Sequence, residues 1–244
     1  GGLCGVNSGT IENCQNNNAV TSTSYNVGGI CGKLTGGTIR NCWNSDTYSI
    51  QGTDRVGGIC GSVTASATIT NSYNTMAVAN TSSASGDYGV GGIVGYASAS
   101  LSVSNCYNQG AVHGANHSVG GIVGYGTTVT VADCYNSGTI TGDSYYVGSL
   151  SGRSVTITNS YYLQGSATDG NSVAQNAVGA SSLGSTVADA DVYGKAGKQF
   201  TNGEVCYLLN HSVSAGSPWG HSIGDYPVLD TTQKAYYYEE FDAY

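Results

Sequence analysis

Val27-Gly-Gly-Ile-Cys-Gly32 is the stretch that decides the fold, because it returns along the chain at near-constant intervals. Its copies are Gly1-Gly-Leu-Cys-Gly5, Gly57-Gly-Ile-Cys-Gly61, Gly91-Gly-Ile-Val-Gly95, Gly120-Gly-Ile-Val-Gly124 and the degraded Gly148-Ser-Leu-Ser-Gly152. Successive starts lie 27, 29, 34, 29 and 28 residues apart. A period in this range is the mark of a solenoid, in which each unit buries its apolar face only against its neighbours.

Downstream of each copy comes a segment such as Thr38-Ile-Arg-Asn-Cys-Trp-Asn44, with counterparts at 10–16, 68–74, 102–108, 130–136 and 156–162. A third, shorter segment comes next, seen at Ala19-Val20, Ile50, Ala77-Val78, Ala111-Val112 and Thr139-Ile140. All are short, rich in β-branched residues and bounded by Gly, Asn, Ser or Asp, which reads as strands joined by turns. Three strands per coil without a helical crossover predict an all-β chain, a parallel β-helix of about six coils of 27–34 residues. Equivalent strands would pair about 4.8 Å apart, giving a rod roughly 25–30 Å long. In the second strand Ile11, Ile39, Ile69, Val103, Val131 and Ile157 should face inward, and their alternate neighbours outward. The paired glycines are expected to bend the chain, by adopting dihedrals closed to other residues, and to let coils approach closely.

The repeats fill residues 1–162, leaving 163–244 as a connecting segment and C-terminal capping region. Val205, Leu208 and Leu209 predict a short helix there. With Trp219, Ile223, Tyr226, Pro227, Val228 and Leu229 this region should cover the last coil, as solenoids require. The long third interval places a surface loop around Asn80–Asp87, and the acidic, aromatic tail 235–244 has no assigned place. A start inside a repeat suggests a mature product or a fragment of a longer protein.

The net charge of −8, from 15 acidic and 7 basic residues, argues against nucleic acid and anionic membrane as partners. No apolar run approaches the roughly 20 residues of a membrane span, so direct membrane insertion is not expected. Nor are the parts of an enzyme visible. Glu12, Asp46, Asp54, Asp87, Asp133 and Asp143 never share a register position in adjacent coils, so paired acid and base work lacks its carboxylates. No metal or cofactor is implied: no Cys-x-x-Cys occurs, and His113, His117, His211 and His221 stand apart from the cysteines.

Three columns accompany the second strand. Asn13, Asn41, Asn71, Asn105, Asp133 and Asn159 share one position and are read as a structural amide ladder bonded coil to coil. Beside it stand Cys14, Cys42, Ser72, Cys106, Cys134 and Ser160, while Cys4, Cys31 and Cys60 form a second column continued by Val94, Val123 and Ser151. Exchange among Cys, Ser and Val marks small buried side chains. The rival is disulfide bonding between coils, which three cysteines in one column cannot complete. The third column is aromatic, Trp43, Tyr73, Tyr107, Tyr135 and Tyr161. Its rings either cover a turn by packing on one another or offer a stripe for sugars, together with Asn44, Asn74, Asn108 and Asn136.

Gly-Gly-Ile-Val-Gly, a Thr-Ile-x-Asn-Cys-Tyr-Asn strand and a subsequent Gly-x-Val or Gly-Thr-Ile resemble the GLUG-repeat proteins of bacterial surfaces over residues 1 to about 162. Residues Phe200–Leu229 resemble the segment that often succeeds such repeats in gut-associated bacteria. The family occurs in large secreted adhesin-like proteins and in non-catalytic parts of immunoglobulin-cleaving metallopeptidases. The resemblance therefore implies an extracellular, bacterial cell-surface setting and supplies no catalytic residue. The expectation is a non-catalytic stalk or adhesion module, with a surface glycan or protein as partner. The alternatives are a glycan-binding module using the aromatic column, and a fibre subunit that self-associates end to end through open coil edges.

Overall fold

The computed structural model describes residues 1–45, 47–82, 88–115, 118–143, 146–172, 174–179, 186–187, 192–211 and 218–230. The tip of the long loop (83–87), the tail (231–244), Asp46 and His117 lie outside the described residues.

The chain winds into a parallel β-solenoid of about six turns. Counting coils from the glycine copies, coil 1 starts at Gly1 and coils 2 to 6 at Gly28, Gly57, Gly91, Gly120 and Gly148. The coils build three sheets, of 5, 7 and 15 strands. The smallest stacks Val27–Gly28, Val56–Gly57, Gly89–Gly91, Ser118–Gly120 and Val147–Gly148. The largest holds both Cys31–Leu34 and its counterparts and the Thr-Ile strands, which fuse in coil 4 into one strand, Val94–Asn108. The third runs from Val20–Thr21 through Ser49–Gly52, Ala77–Asn80, Val112–Gly114 and Ile140–Gly142 to Ala167–Thr168. Register follows the repeat: Ile39 pairs with Ile11 and Ile69, and Val103 with Ile69 and Val131.

The Gly-Gly element is divided between two sheets, with the bend at Gly29–Ile30. Val27, Val56, Val90, Val119 and Val147 join Ile50, Val78, Val112 and Ile140 in one apolar cluster. Ile30 and Cys31, with their copies, join Leu34, Ile39 and Cys42 in another. The glycines turn out not to need special dihedrals, since none of the pairs from Gly28 to Gly121 has a left-handed φ. Close approach is the reason. A methyl on Gly58 or Gly92 would collide with the carbonyl oxygen of Gly92 or Gly121 in the next coil and with the side chain of Asn74 or Asn108. In coil 6 the same position is Ser149, whose N–H donates to Asn176 O (2.8 Å) in an irregular stretch. The motif degrades where a regular coil no longer follows.

A polar ladder runs against these glycines. Asn44, Asn74, Asn108 and Asn136 are fully buried, and each Nδ2 donates to the next Oδ1, at 3.3, 2.9 and 2.9 Å. The same nitrogens also donate to the carbonyls of Gly58, Met76, Gly110 and Gly138. Asn74, Asn108 and Asn136 are thereby bonded within and between coils, the condition on which buried amides are tolerated, whereas Asn44 at the start of the ladder bonds only to coil 3 and its Oδ1 has no partner among the described residues.

The cap differs from expectation. Thr186–Val187 and Tyr193–Lys195 extend the large sheet past Thr156–Ile157 and Tyr161–Leu163, and Ala177, Val178 and Val192 close the end of the cluster of Ile30, Cys31 and Leu34. The predicted helix is present as α2 (Glu204–Leu209), preceded by α1 (Gly197–Thr201). These helices and residues 218–229 lie along the flank of the solenoid rather than over its end, because their apolar partners are the rings of Tyr107, Tyr135 and Tyr161. Ile223, expected in that apolar set, is 74% exposed.

Candidate functional site

The corner of each second strand positions the predicted columns. Asn13, Asn41, Asn71, Asn105, Asp133 and Asn159 all have positive φ, between 36° and 53°, a left-handed turn that Asn and Asp tolerate best. They form a backbone corner rather than the buried ladder: Asn13 and Asn41 are exposed, and Asn71, Asn105 and Asp133 half-buried. The column is bonded at its ends, Asn41 Nδ2 to Asn13 Oδ1 (3.1 Å) and Asn159 Nδ2 to Asp133 Oδ1 (2.7 Å). Asp133, which cannot donate along the column, instead faces His211 Nε2 at 2.8 Å from the C-terminal segment. The amides that are buried and stacked are Asn44, Asn74, Asn108 and Asn136, so they cannot join a sugar site.

After the corner the strand alternates, with Cys inward, ring outward and Asn inward. All eight cysteines are free thiols, and Cys31, Cys42, Cys60, Cys106, Cys134 and Cys206 are buried, Cys4 and Cys14 half-buried. Each column thiol donates to a backbone carbonyl two residues away, as Cys42 Sγ does to Arg40 O (3.2 Å) and Cys31 Sγ to Lys33 O (3.2 Å). Ser72 and Ser160 fill the same position and accept from the N–H of Cys42 and Cys134. A thiol reagent should therefore modify only Cys4 and Cys14 in the native protein and all eight cysteines after unfolding; an unfolded count of four or fewer would restore the disulfide reading.

Burial pushes the Cys42 thiol from its ordinary 9.0 up to about 11, and Cys206 up to about 12. The folded form holds protons that the unfolded chain releases, so stability is fully present below pH 9 and falls as pH rises through these values. Denaturant midpoints should accordingly drop between pH 9 and 11. A flat profile over that window would contradict the buried-thiol columns.

The aromatic column stacks as one file. Trp43 and Tyr73 lie 5.9 Å apart, Tyr73 and Tyr107 4.6 Å, and Tyr107 and Tyr135 5.0 Å, with interplanar angles of 11° or less. Such pairs add about 0.5–1.5 kcal/mol each beyond burial. The stripe is not an open platform. Trp219 packs on Tyr107 and Tyr135, Phe200 packs on Tyr135, and Tyr135 Oη donates to Pro227 O (2.6 Å). Tyr107, Tyr135 and Tyr161 are buried, and burial raises the phenols of Tyr107 and Tyr135 well above their ordinary range. Only Trp43 and Tyr73 keep ring surface in solvent, in an open groove of about 430 Å³ shared with Asn13, Asn41, Asn71, Pro218, Leu229 and Asp230.

A second aromatic file, on another face, escaped the sequence reading. Tyr96 and Tyr125 stack at 5.3 Å, Arg55 lies over Tyr96 at 4.5 Å, and Arg153 lies over Tyr125 at 5.3 Å. Its signal was the Tyr that follows Gly95 and Gly124 in two successive copies of the motif. Among the described residues, no group of three or more His, Cys, Asp or Glu is placed to hold a metal ion.

The family model of the GLUG motif matches residues 23–47, from the turn before Val27 past the first rung of the buried amide ladder at Asn44. Residues 23–47 are similar to the GLUG motif. The match is consistent with a GLUG-repeat protein, and the coils on either side repeat the register of the GLUG stretch. No curated protein and no solved structure matches the chain. The GLUG motif and the solenoid fold together fit a repeat-type structural module.

Proposed function

We propose that this chain is a non-catalytic, extracellular module of a bacterial surface protein, a rigid spacer with an adhesive role towards a surface glycan or protein. One observation carries the reading: parallel pairing of the sheets from coil to coil, shifted in register between Ala97 and Ser100 and between Tyr125 and Val129, with inward positions committed to aliphatics, thiols and bonded amides. Such a stack transmits load along its axis through backbone hydrogen bonds. The low count of basic residues supports a partner other than nucleic acid. No helix among the described residues is long and apolar enough to cross a membrane. Protease shaving and antibody labelling of intact cells that make the full protein should reach this module; finding it only after lysis would overturn the surface reading.

The glycan alternative narrows to the groove at Trp43 and Tyr73, where two stacked rings meet solvent beside Asn13 and Asn41.

A further inference from the structure

The two cysteine columns hold their thiols at a spacing that suits a chemistry other than a disulfide. In one column Cys14 Sγ donates to Glu12 O (3.1 Å) and Cys42 Sγ to Arg40 O (3.2 Å). In the other Cys4 Sγ donates to Val6 O (3.1 Å) and Cys31 Sγ to Lys33 O (3.2 Å). Those acceptors are themselves register partners, Glu12 with Arg40 and Val6 with Lys33. The two thiols of a pair therefore share one orientation and differ by one coil, so their sulfurs, like their Cβ atoms, stand about 4.8 Å apart, the strand spacing. A disulfide needs sulfurs about 2.05 Å apart and Cβ atoms within about 4.5 Å, and the thiols are free. Half of the coil spacing is about 2.4 Å, close to the metal–thiolate bond of about 2.3 Å known for zinc. A cation midway between two stacked sulfurs is thus bound in line by both, with little movement of either coil.

The backbone around the second column also accepts a thiolate. Ser72 and Ser160 fill this position in coils 3 and 6, and each hydroxyl donates to the carbonyl two residues back (2.8 Å). Each also accepts an N–H from the preceding coil, from Cys42 at 3.1 Å and from Cys134 at 3.2 Å. The N–H of Cys14 acts on the Cys42 sulfur in the same way. A sulfur that gives up its proton there keeps a backbone donor, and a hydrogen bond to a charged acceptor is the stronger for it. Thiolates are soft ligands that select Cu(I), an ion with a filled d shell that is satisfied by two ligands in line. Zinc needs four ligands, and among the described residues no group of three or more His, Cys, Asp or Glu is placed to hold it; a two-coordinate ion needs only the pair. Cys4 and Cys14 are half-buried, so each of the two pairs has one thiol that solvent reaches.

We propose that Cys4 with Cys31, and Cys14 with Cys42, each bind one Cu(I) ion in a two-coordinate bis-thiolate site that staples coil 1 to coil 2. Each pair releases two protons as the ion binds, and no electron is transferred. The proposal goes beyond the spacer reading above and does not depend on it.

Anaerobic titration of the purified chain with Cu(I), against the chromophoric competitor bicinchoninate, tests it. The parent should take up two equivalents, Cys42→Ser and Cys31→Ser one each, and the double variant none. Cys106→Ser should still take up two. Serine is accommodated at both positions, as Ser72 and Ser151 in the same columns show, and the thermal midpoint without metal checks that each variant is folded. Removing the buried partner is decisive, because the accessible thiols of Cys14 and Cys4 remain. Unchanged uptake in Cys42→Ser and Cys31→Ser would mean binding by single thiols and overturn the proposal, as would no uptake by the parent or equal competition by Zn²⁺. Bound Cu(I) should also raise the thermal midpoint of the parent by mass action; an unmoved midpoint at saturating Cu(I) would count against a staple. If the serine variants fail to fold, X-ray absorption at the copper edge of the loaded parent decides. A linear shell of two sulfurs supports the pairs, and three or more ligands, or nitrogen and oxygen ligands, overturn them.

Discussion

Gly92→Ala should cost more than about 3 kcal/mol of stability, although it adds a single methyl group. Overpacking usually costs about 1–3 kcal/mol because side chains move aside; here the obstacles are the backbone carbonyl of Gly121 and the stem of Asn108, neither of which can yield. Relief requires coils 4 and 5 to part, which strains the bonds from Gly92 N to Gly120 O (3.1 Å) and from Ile93 N to Ile122 O (3.0 Å). It also disturbs an amide rung whose partners are left buried and unpaired. The control is Ser149→Ala, in the coil where the chain already carries a side chain at this position, expected within about 1 kcal/mol. Urea unfolding of both variants decides the matter. Equal midpoints would remove close approach as the reason for the glycine pairs.

Trp219→Ala should remove about 3–5 kcal/mol from the docking of the C-terminal segment, the range for truncating a buried large aromatic residue. Trp219 is 2% exposed and rests on two rings of the file. Its loss leaves Phe200, Val205 and Leu209 as the main apolar grip. Native-state hydrogen exchange would then show α1 and α2 losing protection while the amides of coils 1 to 3 keep theirs, since each coil draws its stability from its neighbours. The variant would also uncover Tyr107 and Tyr135. Unchanged protection of the helices would mean that the segment is held by something other than this contact.

The sequence made the solenoid legible because two independent periods agreed, the repeat of about 29 residues and the alternation within each Thr-Ile strand. Ile39, Ile69 and Val103 are buried, as that alternation required. The amide ladder was misplaced by three residues. Both positions recur as Asn from coil 1 to coil 4, with Asp133 and Asn136 in coil 5, and recurrence alone does not say which faces inward. The left-handed corner at Asn41 resets the alternation; taken from Cys42 onward, in and out by turns, it would have assigned Asn44 to the interior. The covering of Tyr107, Tyr135 and Tyr161 was out of reach, because it depends on contacts such as Tyr135 to Pro227 across 92 residues, which no local pattern encodes. The file of Tyr96 and Tyr125 was signalled one residue past the motif, by the Tyr after Gly95 and Gly124 in two successive copies.

The flank-lying C-terminal segment changes how the rod should come apart. Left alone, stacked coils melt as a chain of nearest-neighbour units from whichever end is weaker. This segment grips rings from coils 4, 5 and 6 at once, and so clamps them into one cooperative block, while coils 1 to 3 are held mainly by the coil-to-coil bonds. Unfolding should begin in the coils outside the clasp and stall where the clasp begins, so the rod is divided into a pliant stretch and a locked one.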